Sequence, residues 1–290
     1  MSWRTVVISR RAKLDYRMGY MVVRGLETIK IHLSEISIVM IESTEVSLTV
    51  ALLSELTKQK VKVIFCDEKR NPSSELVSYY GSHDTSAKVR KQIRWDEDIR
   101  GVVWTEIVTE KIRRQCALLK YYGKTESSLL VQYLNEIEYN DASNREGHAA
   151  KVYFNALFGK DYSRSLETPI NAALNYGYSI ILSAINREIV KSGYITQLGL
   201  FHDNMFNPFN LGSDLMEPFR PTVDKKVLEM MPERFEHGEK MELANVLNSM
   251  VYMDGKEQYL NNAIGIYCRS VFDAINEKDI SLIRFYKDEL

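Results

Sequence analysis

One glutamate in the second half of the chain occupies a position where a charge is costly. Glu146 precedes Ala150, Tyr153 and Leu157 at spacings of four, seven and eleven residues, so its carboxylate shares the apolar face of a helix. A buried charge is tolerated when it is paired or bound to a cation. Glu146 is therefore the first candidate for chemistry.

The same glutamate also has a structural alternative. Ser143 and Glu146 have the spacing of a capping box, in which the glutamate side chain returns to the backbone amide of the N-cap residue. Spacing alone favours this capping role, although a capping glutamate does not need to face inward. Both interpretations stay open at this point.

Three further candidates follow later in the chain. His202 comes after an apolar turn and before a loop rich in Asn and Phe, where a lone histidine is more often a hydrogen-bonded core residue than a ligand. Asp214 and Glu217 are three residues apart and share one face of a short helix, which Pro218 and Pro221 are predicted to end. Acids in a first helical turn also complement the helix dipole, which is their structural alternative.

Taken together, these side chains favour one kind of chemistry. Two or three carboxylates and one imidazole, without a thiolate, suit a hard divalent cation such as Mg²⁺ or Mn²⁺. Such an ion accepts phosphate oxygens, stabilises charge on a phosphoryl group and orients the attacking and leaving oxygens. The residue types therefore predict phosphodiester chemistry.

Two other functions compete with this interpretation. The doublets His83-Asp84 and His202-Asp203 favour a helical metal phosphohydrolase of the histidine-aspartate type, but two-residue matches are frequent by chance. A non-catalytic DNA-binding scaffold would require only that Glu146 caps a helix and that His202 belongs to the core.

Composition excludes several classes of protein. The chain has 290 residues, of which 45% are hydrophobic and 27% charged, as in an ordinary globular protein with one large or two unequal domains. Its three cysteines form no CxxC pair, so neither a disulfide framework nor a thiolate zinc site is indicated. Without a signal peptide or a long apolar run, we expect a cytoplasmic protein that does not bind a membrane.

Charge is unevenly distributed along the chain. The formal net charge is −1, yet residues 88–124 contain ten Lys or Arg and five Asp or Glu. A basic cluster of this kind can neutralise DNA phosphates. A solvated helix face is the commoner explanation for such a run, and the run by itself favours that explanation.

The periodicity of the sequence divides the chain in two. Short alternating or β-branched runs predict strands over residues 4–9, 13–17, 20–23, 28–32, 37–41 and 62–66, with one helix over 47–59 and a loop over 67–74. Helical spacing begins near residue 86, and Thr168-Pro169 is predicted to open a helix that runs to about residue 191. We predict an α+β fold: an N-terminal β-rich domain with one helix (residues 1–85) and a larger all-helical catalytic domain (residues 86–290).

The motifs of the helical half resemble those of a known family, the larger of the two core CRISPR adaptation proteins, and the resemblance extends over nearly the whole chain. The IFCDEKRNPSSEL segment is also similar to the family's N-terminal domain. The matching segments are Glu146-Gly147 with Ala149 and Tyr153-Phe154, then Asn175-Tyr176-Gly177-Tyr178, Leu200-Phe201-His202, and Asp214-Leu215-Met216-Glu217-Pro218-Phe219-Arg220-Pro221.

The resemblance implies an activity and a set of metal ligands. It implies an integrase and endonuclease in which the 3′-hydroxyl of a captured DNA duplex attacks a phosphodiester at the edge of the repeat array. Glu146, His202 and Glu217 would bind the catalytic Mg²⁺ or Mn²⁺, with Asp214 as a supporting carboxylate.

The resemblance also implies partners. These are double-stranded DNA, a second copy of the chain in a homodimer, and the smaller core adaptation protein. The length of the chain and the loop FHDNMFNPFN are most similar to members from type II systems, which adds an RNA-guided effector nuclease and an accessory adaptation protein as expected partners.

Seven residues are predicted to contact nucleic acid. Arg113, Arg114, Lys160 and Arg164 are the candidates for the captured duplex. Asn204 and Asn207 would line the DNA path, while Arg220 would meet a phosphate or brace Glu217. For the last three, the alternative is a hydrogen bond to loop or helix-end backbone groups.

Overall fold

A computed structural model of the chain describes residues 4–76 and 82–287. The N-terminal part contains strands and one helix, as predicted, and each of the six predicted strands is present to within one residue at either end. These elements are β1 (Arg4–Ile8), β2 (Ala12–Arg17), β3 (Tyr20–Arg24), β4 (Thr28–His32), β5 (Ile36–Ile41), β6 (Val46–Leu48), α1 (Val50–Lys58), β7 (Lys62–Cys66) and β8 (Pro72–Leu76).

Within the described residues, the N-terminal strands form two four-stranded sheets. The first has the order β1-β5-β7-β8, with parallel pairing between β1, β5 and β7 and an antiparallel edge strand β8. The second has the order β4-β3-β2-β6 and is built on the β2-β3 and β3-β4 hairpins. All six residues of β5 are buried, as expected for a central parallel strand that is covered on both faces.

Two local predictions in this part were wrong. The loop predicted over residues 67–74 ends at Pro72, where β8 begins and pairs with β7; a proline that lacks an N–H is tolerated at the first residue of an edge strand. The helix predicted from residue 47 begins at Val50, because residues 46–48 pair with β2 as the short strand β6. The Thr49 hydroxyl caps this helix by accepting from the Leu52 amide at 3.3 Å.

The second part is helical, which confirms the predicted α+β class. It adds one hairpin, β9-β10, that the periodicity did not indicate. Its elements are α2 (Thr85–Ile93), α3 (Glu97–Tyr121), α4 (Ser127–Asn135), α5 (Arg145–Phe158), α6 (Pro169–Lys191), α7 (Asn210–Leu215), α8 (Arg220–Met230), α9 (His237–Ala244), β9 (Met250–Met253), β10 (Lys256–Tyr259) and α10 (Leu260–Glu277). Residues 77–81 lie outside the described part, and the domain boundary at residues 85/86 stays a prediction.

Prolines and caps set the helix limits around the candidate residues. Helix α6 begins as predicted, with the Thr168 hydroxyl accepting from the Asn171 amide at 3.2 Å and Pro169 in the first turn. The prediction that Pro218 and Pro221 end a helix holds only in part. Pro218 lies in a single 3₁₀ turn, but Pro221 lies in the first turn of α8, where its missing N–H leaves no hydrogen bond unmade.

The two parts share a hydrophobic core through the first sheet. Successive residues of a strand point to opposite faces. Val39 and Val63 accordingly pack in the N-terminal cluster, whereas Met40 and Ile64 pack in the large cluster that contains the helices. Strands β5 and β7 are therefore common to both cores. Among the described helices, none has the length and apolar character needed to cross a bilayer.

We expect Ile64→Ala to lower the free energy of unfolding by about 2–5 kcal/mol, because it leaves a cavity between sheet and helices. Ile29→Ala is the matched control, since Ile29 lies on edge strand β4 and is 53% exposed; its cost should stay below about 0.5 kcal/mol. Urea titration followed by circular dichroism measures both. Equal costs for the two variants would contradict a shared core.

Candidate active site

The centre of the candidate site is a buried lysine. Lys111 lies midway along α3 and is 4% exposed. Its ammonium forms ion pairs with Glu146 Oε1 and Glu217 Oε2. Glu146 lies in the first turn of α5, and Glu217 lies in the 3₁₀ turn before α8. A cation from a third element thus brings the two predicted glutamates together.

Lys111 is not among the residues predicted from the sequence, because it falls within the basic run that suggested an exposed face. A signal was nevertheless present. Lys111 lies four residues after Ile107 and seven before Leu118, both buried, so the spacing that singled out Glu146 applies equally to this lysine. Burial by itself lowers the pKa of Lys111, whereas the charges of Glu217 and Glu146 raise it. The rise is the larger of the two effects, so the pKa of Lys111 lies above its ordinary value.

The start of α5 turns Glu146 inward. The predicted capping box does not form: the Ser143 hydroxyl donates to the carbonyl of Glu136 at 3.2 Å. The amides of Arg145 and Glu146 donate instead to the carboxylate of Asp141, at 2.7 and 3.1 Å. Because Asp141 satisfies these helix-end amides, the side chain of Glu146 is free to reach Lys111, and the capping alternative for Glu146 is excluded.

Glu217 is held ionised from two sides. It is 4% exposed, and Arg220 Nε donates to its Oε1 at 2.8 Å, while Lys111 pairs with its Oε2. Burial by itself would raise the pKa of Glu217, but the charges of Arg220 and Lys111 lower that pKa to about 2. Of the two roles predicted for Arg220, bracing Glu217 is the one that this geometry supports.

Arg220 is itself positioned by an aromatic and acidic layer beneath it. Its guanidinium carbon lies 4.6 Å from the centre of the Tyr178 ring, as in a cation–π contact. The hydroxyls of Tyr178 and Tyr153 both donate to Asp224, the latter at 2.8 Å. Asp224 is 1% exposed, and burial raises its pKa to about 6. These contacts fix Arg220, and through it Glu217.

Asp214 organises the loop that carries His202. Its carboxylate is fully buried and accepts from the backbone amides of Leu200, Phe201 and His202 at 2.6, 3.2 and 3.1 Å. The same carboxylate contacts His202 Nδ1 at 2.5 Å. With Nδ1 donating to a carboxylate, Nε2 of the neutral ring is the nitrogen that remains for a ligand. The predicted supporting role of Asp214 thus has a geometric basis.

Aromatic rings hold the His202 ring on its other side. Trp104 of α3 stacks on Phe201 with 4.7 Å between ring centres and meets His202 edge-on at 5.7 Å. The hydrogen bond to Asp214 raises the pKa of His202, burial opposes the rise, and Glu217 and Glu146 add to it. The resulting stabilisation of the fold is complete below about pH 6.5 and is lost as the pH rises through the elevated pKa.

The side chains of Glu146, Glu217 and His202 are of the types that bind a divalent cation, but the cation that contacts the two glutamates is the ammonium of Lys111. Two carboxylates and an imidazole nitrogen suit Mg²⁺ or Mn²⁺. Across residues 4–76 and 82–287, no three side chains of His, Cys, Asp and Glu lie close enough together to hold a metal ion. The ammonium of Lys111 lies between the two glutamates instead.

A cleft opens beside His202. It has a volume of about 530 Å³, and its lining includes Ile93, Trp95, Arg100 and Phe201. Phe201 is 47% exposed. His202 is therefore reached from a surface that combines apolar side chains with a guanidinium, which is a suitable combination for nucleotides.

The basic segment contributes fewer surface cations than its composition suggests. Arg113 has a side chain that is 58% exposed and pairs with Glu110. Arg114 is much less available to DNA than predicted: its side chain is 7% exposed, pairs with Glu110 at 2.9 Å and lies over the Tyr286 ring at 3.5 Å. A guanidinium buried in this way would have to give up these contacts to reach a phosphate on the surface. Lys111, which belongs to the same basic segment, is buried as well.

The other two predicted cations differ in their contacts. Lys160 follows α5 and is exposed. Arg164 donates to Asn171 Oδ1 at 2.7 Å and to Asn175 Oδ1 at 2.5 Å, so its guanidinium orders the chain before α6. Lys160 is thus the more available of the two for a phosphate.

Asn204 and Asn207 hold the loop after His202. Asn204 Oδ1 accepts from the Phe206 amide at 2.9 Å, and Asn207 Oδ1 accepts from the Phe209 amide at 3.0 Å. These bonds correspond to the structural alternative considered for both residues. They leave Phe206 85% exposed at the tip of the loop.

The combination of a β-rich part and a helical part, which carries Glu146, His202 and Glu217, is also found in proteins of known structure. The chain superposes on a casposase bound to an integration product with a TM-score of 0.76 at 19% identity, covering 98% of this chain and 93% of that one. For a Cas1 protein from Thermotoga maritima the TM-score is 0.74 at 16% identity, with 95% and 97% covered. In a Cas6-RT-Cas1–Cas2 complex the match has a TM-score of 0.75 at 17% identity and covers 99% of this chain and 36% of a longer one. At these identities the matches establish the fold.

Sequence comparison identifies the family. The family model described as CRISPR associated protein Cas1 matches residues 5–251. A CRISPR-associated endonuclease Cas1 from Neisseria meningitidis serogroup C is 32% identical over 232 residues, covering 79% of this chain and 76% of the relative. One from Francisella tularensis subsp. novicida is 25% identical over 275 residues, with 86% of each covered. The chain belongs to the Cas1 family.

We expect Asp214→Asn to lower the pKa of His202, because an amide lacks the charge that stabilises the protonated ring. Titration of the histidine ring signals by NMR measures this pKa, with His202→Gln used for assignment. Asp203→Asn is the control, since Asp203 is the exposed neighbour of His202 and should leave the pKa in place. An unaltered His202 pKa in Asp214→Asn would refute the assigned contact.

Proposed function

We propose that the chain is a divalent-metal-dependent DNA integrase with endonuclease activity, which inserts short foreign DNA duplexes into a CRISPR repeat array. The observation that carries the proposal is the pairing of Glu146 and Glu217 with one buried cation, Lys111. Membership of the Cas1 family supports it. So do the relatives named as endonucleases and the shared fold of a casposase bound to an integration product.

In this proposal Glu146, His202 and Glu217 hold Mg²⁺ or Mn²⁺. When bound, the ion supplies charge stabilisation at the phosphoryl group and a template for the reacting oxygens. Asp214 keeps the proton of His202 on Nδ1 and so presents Nε2. Arg220 keeps Glu217 ionised and fixed in direction.

The proposed reaction is a transesterification. The 3′-hydroxyl oxygen of the captured duplex forms a bond to the phosphorus at the edge of the repeat, and the bond from that phosphorus to the 3′-oxygen of the flanking strand breaks. The attacking hydroxyl loses its proton to solvent, and the leaving oxygen gains one. No covalent enzyme intermediate is needed. Water in place of the 3′-hydroxyl gives weak endonuclease activity at the same site.

The proposal includes partners. Double-stranded DNA enters as captured fragment and as repeat array, and the exposed Arg113 and Lys160 are the side chains best placed to meet its phosphates. A homodimer and the smaller core adaptation protein complete the assembly, in keeping with the Cas1–Cas2 complexes that share the fold. For a type II system, the RNA-guided effector nuclease and an accessory adaptation protein would join them.

We expect Glu146→Gln and Glu217→Gln to reduce strand joining by at least about a hundredfold, because removal of even an outer partner of a metal ligand costs 10–100-fold. A joining assay with supercoiled repeat DNA, a short duplex and Mn²⁺ measures this, with and without the partner protein. Glu138→Gln is the control, since Glu138 is an exposed glutamate of the same part. Retained DNA binding in the Gln variants would show that folding is intact.

The same assay separates the alternatives. A non-catalytic scaffold would show no metal-dependent joining to lose, and a phosphohydrolase of the histidine-aspartate type would release phosphate from nucleotides without joining DNA. In the structure the ring of His202 is tied to Asp214 rather than to its neighbour Asp203. Full joining activity in Glu146→Gln would end the proposal.

We expect Arg113→Ala to weaken DNA binding and to reduce the slope of log affinity against log salt by about 0.9, the contribution of one phosphate contact. Arg114→Met is the matched control, because Arg114 is adjacent in sequence but buried. It should lower stability and leave the slope unchanged. Fluorescence anisotropy over a salt series measures both. If the salt dependence of DNA binding were weaker for Arg114→Met than for Arg113→Ala, Arg114 rather than Arg113 would be the residue that contacts a phosphate.

A further inference from the structure

The carboxylates of the site are already neutralised from within the chain. Lys111 approaches Glu146 and Glu217 together, and Arg220 pairs with the other oxygen of Glu217. Two anions thus face two cations in a largely buried setting, where charge is weakly screened. A divalent cation added to this neutral set would bring its net charge to +2, and the departure of one internal cation would halve that excess.

Arg220 is fixed to its place. Besides Glu217, it lies over the ring of Tyr178 and close enough to Asp224 to be stabilised by that charge. A planar guanidinium held by stacking and a directed hydrogen bond has little freedom to leave.

Lys111 is held differently. Within the described part of the chain, its ammonium has ion pairs with Glu146 and Glu217 alone. It ends a flexible four-carbon stem, and Glu146 retains 30% exposure of its side chain, which opens the contact toward solvent. A compact ammonium on a rotatable stem is suited to exchange.

We propose that Lys111 is a positioning residue that acts as an exchangeable internal cation, which holds Glu146 and Glu217 together until a divalent ion takes their oxygens from it. This inference rests on the proposed metal-dependent function. It assigns Lys111 two opposed effects: the lysine stabilises the metal-free protein by pairing two buried carboxylates, and it weakens metal binding by competing for the same oxygens.

The test compares Lys111→Met, which removes the charge at similar length, with the wild-type chain. Isothermal titration of the full-length, chelator-treated protein with Mn²⁺ should give a dissociation constant at least about tenfold lower for Lys111→Met, because a charge repelling the ion at close range is gone. Lys111→Arg keeps that charge and should bind Mn²⁺ no more tightly than the wild type. An equal or higher dissociation constant for Lys111→Met overturns the inference.

Lys62→Met is the matched control. Like Lys111, Lys62 of β7 is a buried lysine that forms an ion pair: it is 5% exposed and contacts Glu75. Its replacement should lower the melting temperature equally with and without Mn²⁺. Lys111→Met should lower the melting temperature in chelator and regain more of it than the wild type does when Mn²⁺ is added. Equal gains with Mn²⁺ would mean that Lys111 is structural only, and the inference fails.

A structure of the wild-type chain grown with Mn²⁺ tests the same point without a variant. The Lys111 ammonium should have left at least one of the two carboxylates; an ammonium still paired with both beside a bound ion overturns the inference. The two proposals also fail differently. A wild-type chain that binds no Mn²⁺ overturns both, whereas Mn²⁺ binding that is unaffected by Lys111→Met overturns only the role of Lys111.

Discussion

The candidate site depends on the neutralisation of acids withdrawn from water. Glu217 is almost fully buried and Glu146 is partly so, and an uncompensated carboxylate in either position would oppose folding. Lys111 compensates both from the middle of α3, and Arg220 compensates Glu217 a second time. The two cations and the two acids come from α3, α5 and the turn that leads into α8, so these ion pairs join the three segments. Electrostatic neutralisation and the packing of the site thus depend on the same contacts.

Side-chain carboxylates also replace regular backbone hydrogen bonds wherever the chain must turn to present a site residue. Asp141 accepts the first amides of α5 and so releases Glu146 from a capping role. Asp214 accepts three successive amides before the loop and then orients the His202 ring. Buried acceptors of this kind stabilise a loop, since each donating amide would otherwise lose its hydrogen bond. The irregular segments of the site are therefore ordered by their own acids.

The N-terminal sheet provides the rigid support for the helices. Strands β5 and β7 place alternate residues in the two hydrophobic clusters, so neither part can move far without exposing apolar surface. Polar contacts follow the same junction: the Ser183 hydroxyl of α6 donates to Glu75 Oε2 of β8 at 3.5 Å, and Arg187 Nε donates to the carbonyl of Lys60 at 2.9 Å. Helix α6, which carries Arg187, also carries the Tyr178 ring beneath Arg220. The sheet and the candidate site are in this way parts of one packed structure.

Local patterns by themselves predicted six of the ten strands in the described residues (β1 to β5 and β7) and the limits of α6, because alternation, helical spacing and capping depend only on neighbours in the sequence. The same spacing predicted that Glu146 faces inward, but it did not identify its partner, since Lys111 lies 35 residues away along the chain. Only the tertiary structure decided that Lys111 and Arg114 are buried rather than part of a basic surface, and that Pro221 begins a helix. The physical reason is that burial of a charge is decided by the groups that meet it in space, and those groups come from segments that local patterns treat separately.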